Sequence, residues 1–163
     1  MSYTDIFMKC VDVILKNEGG YVNNKYDPGG ETNMGICKRQ YPHLDIPNLT
    51  RNQAILIYHS DYWSKMNLHG IRNEKVVLEL FDMGVNAGPV TAIKMIQRLV
   101  GADVDGVMGP QTKKAINLYK GDLVIDLKQE RKKYYFTLAR KDPEKLVFIS
   151  GWLNRVEHTQ FIS

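Results

Sequence analysis

The sequence predicts a mainly α-helical protein in which a small β-hairpin or irregular loop follows the first helix. Most of the chain repeats its apolar residues with the 3.6-residue period of an amphipathic helix, and Gly, Pro or capping residues separate these segments. Five of the 13 glycines lie between residues 19 and 35, where they indicate turns instead of helix. The 163 residues are enough for a single domain with its own core.

The first helix is predicted over residues 4–18, because the apolar residues at 6, 7, 10, 11, 14 and 15 share one face. It is expected to end at the glycine pair 19–20, since glycines readily adopt the positive φ angles that end helices. This ending puts Glu18 at the helix C-terminus. The Asp-Pro-Gly-Gly run at residues 27–30 then predicts a turn between short stretches that could pair as strands.

The rest of the chain returns to the helical pattern. Thr50 is a good N-cap, and Gln53 completes a capping box for a helix that reaches about Trp63. Proline at the first helical position predicts further starts at Pro89 and Pro110. The remaining helices are expected at about 74–86, at 122–141 and beyond Pro143.

Composition excludes several classes of protein. Hydrophobic residues make up 44% and charged residues 25%, which is typical of soluble globular proteins. No apolar stretch approaches a membrane span and the start lacks the pattern of a signal peptide, so we expect a soluble chain made in the cytoplasm, without stable membrane insertion. Cys10 and Cys37 are expected to be reduced thiols, and the histidine spacing does not suit zinc. Asp103 and Asp105 lack the third acidic ligand and the terminal Glu of a calcium loop, so a turn is the better interpretation and no metal site is expected.

The balance of charge favours an anionic partner. The chain has 22 Lys and Arg against 18 Asp and Glu, a net charge of +4, which suits nucleic acid, an anionic membrane face or the bacterial wall. Nucleic-acid binding has little support, because the basic residues are scattered and form no zinc-finger or RRM signature. The densest basic cluster is either a solvated helix face or a surface that attracts an anionic wall or membrane; it consists of Lys128, Arg131, Lys132 and Lys133.

Glu18 is the first candidate for catalysis. A carboxylate at a helix C-terminus meets the negative end of the macrodipole, which favours the protonated form that a general acid needs. Asp27 and Thr32 follow, and a chain that folds back could bring both opposite Glu18. A carboxyl separation of ~6.5–9.5 Å would leave room for a water activated by Asp27, whereas ~5–5.5 Å would make Asp27 a nucleophile. The alternatives are a surface Glu, an Asx-turn Asp and a strand Thr.

Two motifs resemble one known family. Residues 17–23 (Asn-Glu-Gly-Gly-Tyr-Val-Asn) and 27–36 (Asp-Pro-Gly-Gly-Glu-Thr-Asn-Met-Gly-Ile) closely resemble the N-terminal signature of glycoside hydrolase family 108, N-acetylmuramidases common in phages and prophages. The second half is similar to that family's predicted peptidoglycan-binding region through the residues 81–88, Gln97, 105–112 and 151–155. The resemblance implies one α+β lysozyme-like domain over residues 1–163, with a catalytic part at about 1–88 and a helical, bundle-like, peptidoglycan-binding part at about 89–163.

The same resemblance implies a reaction and its residues. It implies hydrolysis of the β-1,4 bond between N-acetylmuramic acid and N-acetylglucosamine, with Glu18 as catalytic acid and no cofactor. The order Glu18, Asp27, Thr32 is similar to the triad of phage-type lysozymes. The interval from Asp to Thr is one residue shorter here, so the neighbouring Asn33 is the alternative polar group for positioning water.

Aromatic and amide side chains are the candidates for sugar binding. Tyr21 and Trp152 could stack on sugar rings, and Asn86 and Gln97 could hydrogen-bond the N-acetyl groups. The alternatives are core packing for the aromatics and helix capping or interhelix bonding for the amides. Further aromatics considered for stacking are Tyr26, Trp63, Tyr134 and Tyr135.

The leading hypothesis is an endolysin-type muramidase from a phage or prophage, acting as a monomer on peptidoglycan glycan strands. It would accumulate in the cytoplasm and reach the wall through a membrane lesion such as a holin makes, or through an export system. One alternative is a lytic transglycosylase, which cleaves the same bond with one Glu and no water. Another is a non-catalytic wall-binding module, suggested by residues 105–112.

Overall fold

A computed structural model describes residues 2–25 and 27–163, and this part of the chain is mainly α-helical, as predicted. None of the described helices is long and apolar enough to cross a membrane. Helix α2 continues without a break through a π-helical turn (His59–Trp63) into α3. The helices are α1 (Asp5–Glu18), α2 (Arg51–Tyr58), α3 (Ser64–Met66), α4 (Glu74–Ala87), α5 (Pro89–Val100), α6 (Pro110–Asn117), α7 (Leu123–Lys141) and α8 (Ile149–Glu157), with a 3-10 helix at Pro143–Phe148 before α8.

Capping residues define both ends of α1 and the start of α2, and the caps predicted at Gly19 and Thr50 are present. The Thr4 hydroxyl accepts a hydrogen bond from Phe7 N at the start of α1. Gly19, with φ 74°, follows its last residue. Both hydrogen bonds of the capping box between Thr50 and Gln53 are formed at the start of α2. These local signals therefore fix where α1 stops, and with it the position of Glu18.

The region after α1 contains the predicted hairpin. Strands β1 (Thr32–Asn33) and β2 (Ile36–Cys37) pair antiparallel, and an isolated bridge joins Val22 to Thr32 around the turn at residues 27–30. The tight turn between β1 and β2 lies at Met34 and Gly35, whose φ angles are 51° and 80°. Two consecutive positive φ angles are typical of the type I′ hairpin turn, which suits the twist of paired strands.

Helix α4 lies in the middle of the helical core. Its residues from Val76 to Gly84 are all buried, and it packs against α1, α5 and α7. Phe81 of α4 meets Phe7 of α1 and Trp63 edge-on, at ring distances of 6.0 and 5.1 Å. A helix buried on every side normally carries apolar residues only, but α4 also buries two carboxylates.

These carboxylates, Glu79 and Asp82, belong to a buried network of charges. Arg131 of α7 pairs with both of them at 2.5 Å. Lys128 adds a second cation to Glu79, and Arg155 of α8 adds a second cation to Asp82. Burial by itself would raise the pKa of Asp82, but Arg155 and Arg131 outweigh it and lower this pKa. The two arginines therefore compensate the buried charge of Asp82, whereas burial outweighs the cations at Glu79 and raises its pKa. The ion pairs of the network tie α4, α7 and α8 together.

The same network corrects both interpretations of the basic cluster on α7. Arg131 is completely buried, and the side chain of Lys128 is only 22% exposed. Lys133, in contrast, is 72% exposed. The cluster is therefore divided between the core and the surface, because Lys128 and Arg131, three residues apart, share the inward face of α7, whereas Lys133 lies on its outward face. It is neither a uniformly solvated face nor a continuous surface for an anionic partner.

We expect Arg131→Met to lower the free energy of unfolding by about 3–5 kcal/mol, because it leaves two buried carboxylates short of a cation. The measurement is urea denaturation followed by circular dichroism. Lys133→Met removes a cation from an exposed ion pair of the same helix and should change the free energy by less than about 1 kcal/mol. Similar effects of the two substitutions would contradict the network's role.

Candidate active site

A cleft of about 440 Å³ opens between the hairpin region and the helices. Glu18 enters it from the end of α1, and Gly35 enters it from the hairpin turn. Three tyrosines from α2, its π-helical turn and the loop after β2 form much of the remaining wall. The residues that line the cleft are Glu18, Gly29, Gly35, Ile36, Cys37, Arg39, Gln40, Tyr41, Tyr58, Tyr62, Val85, Asn86 and Arg155. Among these described residues Glu18 is the one carboxylate.

Glu18 is held by an arginine from the other end of the chain. Its Oε1 pairs with Nη1 of Arg155, 137 residues away, while no described residue hydrogen-bonds to its Oε2. The two side chains are 20% and 15% exposed. One oxygen of the carboxyl group is therefore fixed, and the other is available to a ligand in the cleft.

Arg155 is in turn held by Asp82. Its Nη2 lies 2.9 Å from Asp82 Oδ1, and its Nε lies 3.2 Å from both carboxylate oxygens. Burial would lower the pKa of Arg155, but the charges of Asp82 and Glu18 raise it. The guanidinium therefore remains a cation with fixed geometry. Arg155 is not among the site residues predicted from the sequence, although residues 151–155 form one of the motifs that carry the resemblance.

The hairpin turn packs directly against Glu18. A Cβ atom on Gly35 would lie 2.7 Å from Glu18 Cγ and would also collide with the Tyr58 hydroxyl. That hydroxyl donates a hydrogen bond to the carbonyl oxygen of Met34 at 2.7 Å. Position 35 therefore requires glycine for two reasons: the backbone has a positive φ, and there is no space for a Cβ atom.

The tyrosines give the cleft neutral hydroxyl groups. Burial is the main cause that raises the pKa of Tyr58, and the nearby charge of Glu18 raises it further. Burial and a hydrogen bond to Asp61 at 2.6 Å raise the pKa of Tyr41. Tyr62 lies in the π-helical turn, a distortion that is frequent at functional sites. The sequence predicts a helix at Tyr58 and Tyr62 but no role for them, because helical spacing alone does not distinguish a cleft from a core.

Asp27 and Thr32 lie in the hairpin region but are not among the described residues that line the cleft. Asp27 is exposed, and its Oδ1 accepts a hydrogen bond from Gly29 N at 2.8 Å, which is an Asx-turn. Gly29 itself lines the cleft, so Asp27 lies next to its rim. The backbones of Thr32 and Val22 exchange two hydrogen bonds, each with a nitrogen-to-oxygen distance of 2.8 Å.

The other candidates of the hairpin region have partners of their own. Asn33 is buried, and its side-chain nitrogen donates to the carbonyl oxygen of Ile46 at 3.1 Å. The exposed Tyr21 donates its hydroxyl to Glu31 at 2.7 Å, which raises the pKa of Tyr21. Tyr26 lies outside the described residues. Neither Asn33 nor Tyr21 lines the cleft in the described structure.

The two amides of the second half differ in accessibility. Gln97 is completely buried. Its side-chain amide forms hydrogen bonds with the turn at residues 105–107 and with the hydroxyl of Thr112. This burial leaves Gln97 no surface for a glycan, and the amide instead holds the Asp-Gly turn in place. Asn86 lines the cleft, where its nitrogen donates to the Tyr135 hydroxyl.

The aromatic candidates of the helices are mostly part of the core. Trp63 packs against Phe7 and Phe81. Tyr135 is 2% exposed and stacks on Trp152 with their ring centres 5.0 Å apart. Trp152 is partly exposed and lines a second pocket beside the cleft. The structure therefore brings Glu18 and Asn86 into the cleft and Trp152 next to it.

Known proteins match both halves of the chain. Residues 11–88 match the family described as "Glycosyl hydrolase 108", and residues 91–157 match the family described as "Predicted Peptidoglycan domain". The solved structure of Brucella abortus SagA is similar, with 30% sequence identity and a TM-score of 0.79 over 94% of this chain and 90% of that one. Among curated proteins, none matches the chain in sequence. The resemblance seen in the motifs is confirmed.

We expect Gly35→Ala to lower the free energy of unfolding by about 1–3 kcal/mol, because it combines a strained φ with a collision against Glu18. Thermal and urea denaturation measure this loss. Gly20→Ala is the matched control, since a Cβ on Gly20 meets no atom within 4 Å and its φ is not positive. Equal stability of the two variants would show that the turn does not pack tightly against Glu18.

Proposed function

Because the chain belongs to the glycosyl hydrolase 108 family, we propose that Glu18 is its catalytic acid and that the cleft binds a glycan strand. The protein is a peptidoglycan hydrolase of the lysozyme type. The observation that carries the assignment of Glu18 is its position: it is the carboxylate that lines the cleft, with one oxygen held by Arg155 and the other open to a ligand.

The geometry suits proton donation from Oε2. Cleavage of a glycosidic bond requires a proton on the leaving oxygen, and Oε2 of Glu18 has no hydrogen-bond partner among the described residues. When Oε2 gives up its proton, the carboxyl group becomes a carboxylate beside the Arg155 guanidinium. Arg155 therefore orients the acid before the step and stabilises its charge afterwards.

Asp27 is proposed to act on the second reactant, water. Its Oδ1 is used by the Asx-turn, whereas no described residue hydrogen-bonds to its Oδ2. A water held there at the rim could add to the sugar carbon as the bond to the leaving oxygen breaks, with Asp27 taking up its proton or stabilising the positive charge on the sugar. Thr32 is the better candidate to assist Asp27 in positioning water, since the side-chain nitrogen of Asn33 already donates a hydrogen bond to the carbonyl oxygen of Ile46.

The substrate bond is proposed to be the β-1,4 bond between N-acetylmuramic acid and N-acetylglucosamine. Tyr41, Tyr58 and Tyr62 supply hydroxyl groups to the lining of the cleft, and Asn86 supplies an amide. Hydroxyl and amide groups of this kind can hydrogen-bond the hydroxyl and N-acetyl groups of the sugars. Tyr21 at the hairpin surface is a further candidate contact for a strand that extends past the cleft.

The biological setting is proposed to be that of an endolysin of a phage or prophage. In this setting a monomer accumulates in the cytoplasm and reaches the wall through a holin lesion or an export system. The net charge of +4 favours attraction to the anionic wall. Fractionation of an expressing host tests this setting, and intact protein in the periplasm without any partner would contradict it.

We expect Glu18→Gln to reduce the release of reducing ends from purified peptidoglycan by at least about 100-fold, because glutamine keeps the shape of the side chain but cannot donate the proton. Circular dichroism checks the fold. Glu74→Gln removes an exposed carboxylate of α4 and should leave the rate unchanged.

Mass spectrometry of the released fragments tests the reaction itself. Hydrolysis gives fragments one water heavier than the 1,6-anhydro products of a lytic transglycosylase. A folded Glu18→Gln protein with nearly wild-type activity would contradict the role of Glu18, and anhydro products would contradict the role of Asp27.

A further inference from the structure

A second pocket of about 500 Å³ lies beside the cleft and shares Asn86 and Arg155 with it. We call it the side pocket. The end of α1 contributes Lys16 and Asn17, and α8 contributes the other side, which includes Trp152. Because two residues border both spaces, a branched ligand whose backbone lies in the cleft can place a substituent in the side pocket.

The charges around the side pocket favour an anionic substituent. No carboxylate is among its described lining residues. Lys16 is exposed and forms no salt bridge with a described residue, whereas the charge of Arg155 is already matched by Glu18 and Asp82. The side pocket therefore offers one cation without a partner of its own, surrounded by amide groups.

Asn17 provides an independent sign of an oxygen-bearing ligand. Its side-chain nitrogen is buried and has no hydrogen-bond partner in the described part of the chain. A buried N–H group without a partner costs about 1–3 kcal/mol, because it has lost its hydrogen bonds to water. A ligand oxygen that reaches Asn17 would recover part of this free energy.

The aromatic residue of the side pocket does not suit a further sugar ring as well. Trp152 stacks on Tyr135 and also lies 5.8 Å from Phe148, at an angle of 34° between the rings. These two neighbours cover part of the indole surface on which a sugar would stack. The exposed Lys16 at the end of α1 is therefore the more accessible part of the pocket.

We propose that the side pocket binds the acidic stem peptide that peptidoglycan carries on its muramic acid. A carboxylate of the peptide pairs with Lys16, and a peptide oxygen accepts a hydrogen bond from Asn17. This inference rests on the proposed function, because the glycan in the cleft brings the peptide to the pocket. The lactyl carboxylate of a muramic acid without peptide offers the same chemistry, so the test has to separate the two sources.

Titration calorimetry separates them with two probes: a disaccharide fragment of peptidoglycan that carries its peptide, and the same disaccharide without it. Wild-type protein is expected to bind the peptide-bearing fragment more tightly. Lys16→Gln should weaken that binding by about threefold, as expected for an exposed charge pair, and leave the peptide-free fragment unchanged. Lys114→Gln makes the same charge change at an exposed position of α6 outside the pocket and should affect neither ligand.

Gly151→Leu is a second variant that tests the pocket by filling it. Gly151 lies in α8 on the pocket wall, and a Cβ there meets no atom within 4 Å, so the helix can accept the larger residue. This variant should remove the advantage of the peptide-bearing fragment and keep the affinity for the peptide-free one.

Three results would overturn the proposal. The wild type could bind the two fragments equally, both variants could keep the wild-type discrimination, or a variant could lose equal affinity for both fragments. A loss in Lys16→Gln that is confined to the peptide-free fragment would assign the pocket to the lactyl carboxylate instead. Failure of the proposed function is seen separately, as the absence of new reducing ends when wild-type protein is incubated with whole peptidoglycan.

Discussion

The carboxylate of Asp82, buried in the middle of α4, is the point on which both the core and the site depend. It pairs with Arg131 of α7 on one side and with Arg155 of α8 on the other. A buried carboxylate is tolerated only when its charge is compensated and its oxygens are hydrogen-bonded. The three helices must therefore reach their positions together, and Arg155 is then left with one guanidinium nitrogen for Glu18.

This arrangement makes the site a product of the whole chain. Glu18 and the hairpin come from the region that matches one family, and Arg155 comes from the region that matches the second. Asn86 lies near the boundary between the two regions and borders both the cleft and the side pocket. A protein cut near residue 88 would keep Glu18 but lose the cation that orients it.

Local signals were sufficient to predict most helices and the position of Glu18. The glycine pair ends α1, the capping box starts α2, and these signals act within a few residues of each other. The Glu18–Arg155 pair joins residues 137 positions apart, and no local pattern indicates such a contact. The same limit applies to Arg131, which is followed in sequence by the partly exposed Lys132 and the exposed Lys133. Met34 at positive φ was missed because methionine is not a typical residue for that turn.

The most direct test of this account is the turnover number of Arg155→Met and Arg155→Lys on peptidoglycan. Arg131 still compensates Asp82 in both variants, so both are expected to fold, as circular dichroism can verify. We expect kcat of Arg155→Met to fall by about tenfold or more with a smaller change in KM, because the acid is no longer oriented, and Arg155→Lys to recover part of the loss. A folded Arg155→Met protein that cleaves peptidoglycan at the wild-type rate would contradict the account.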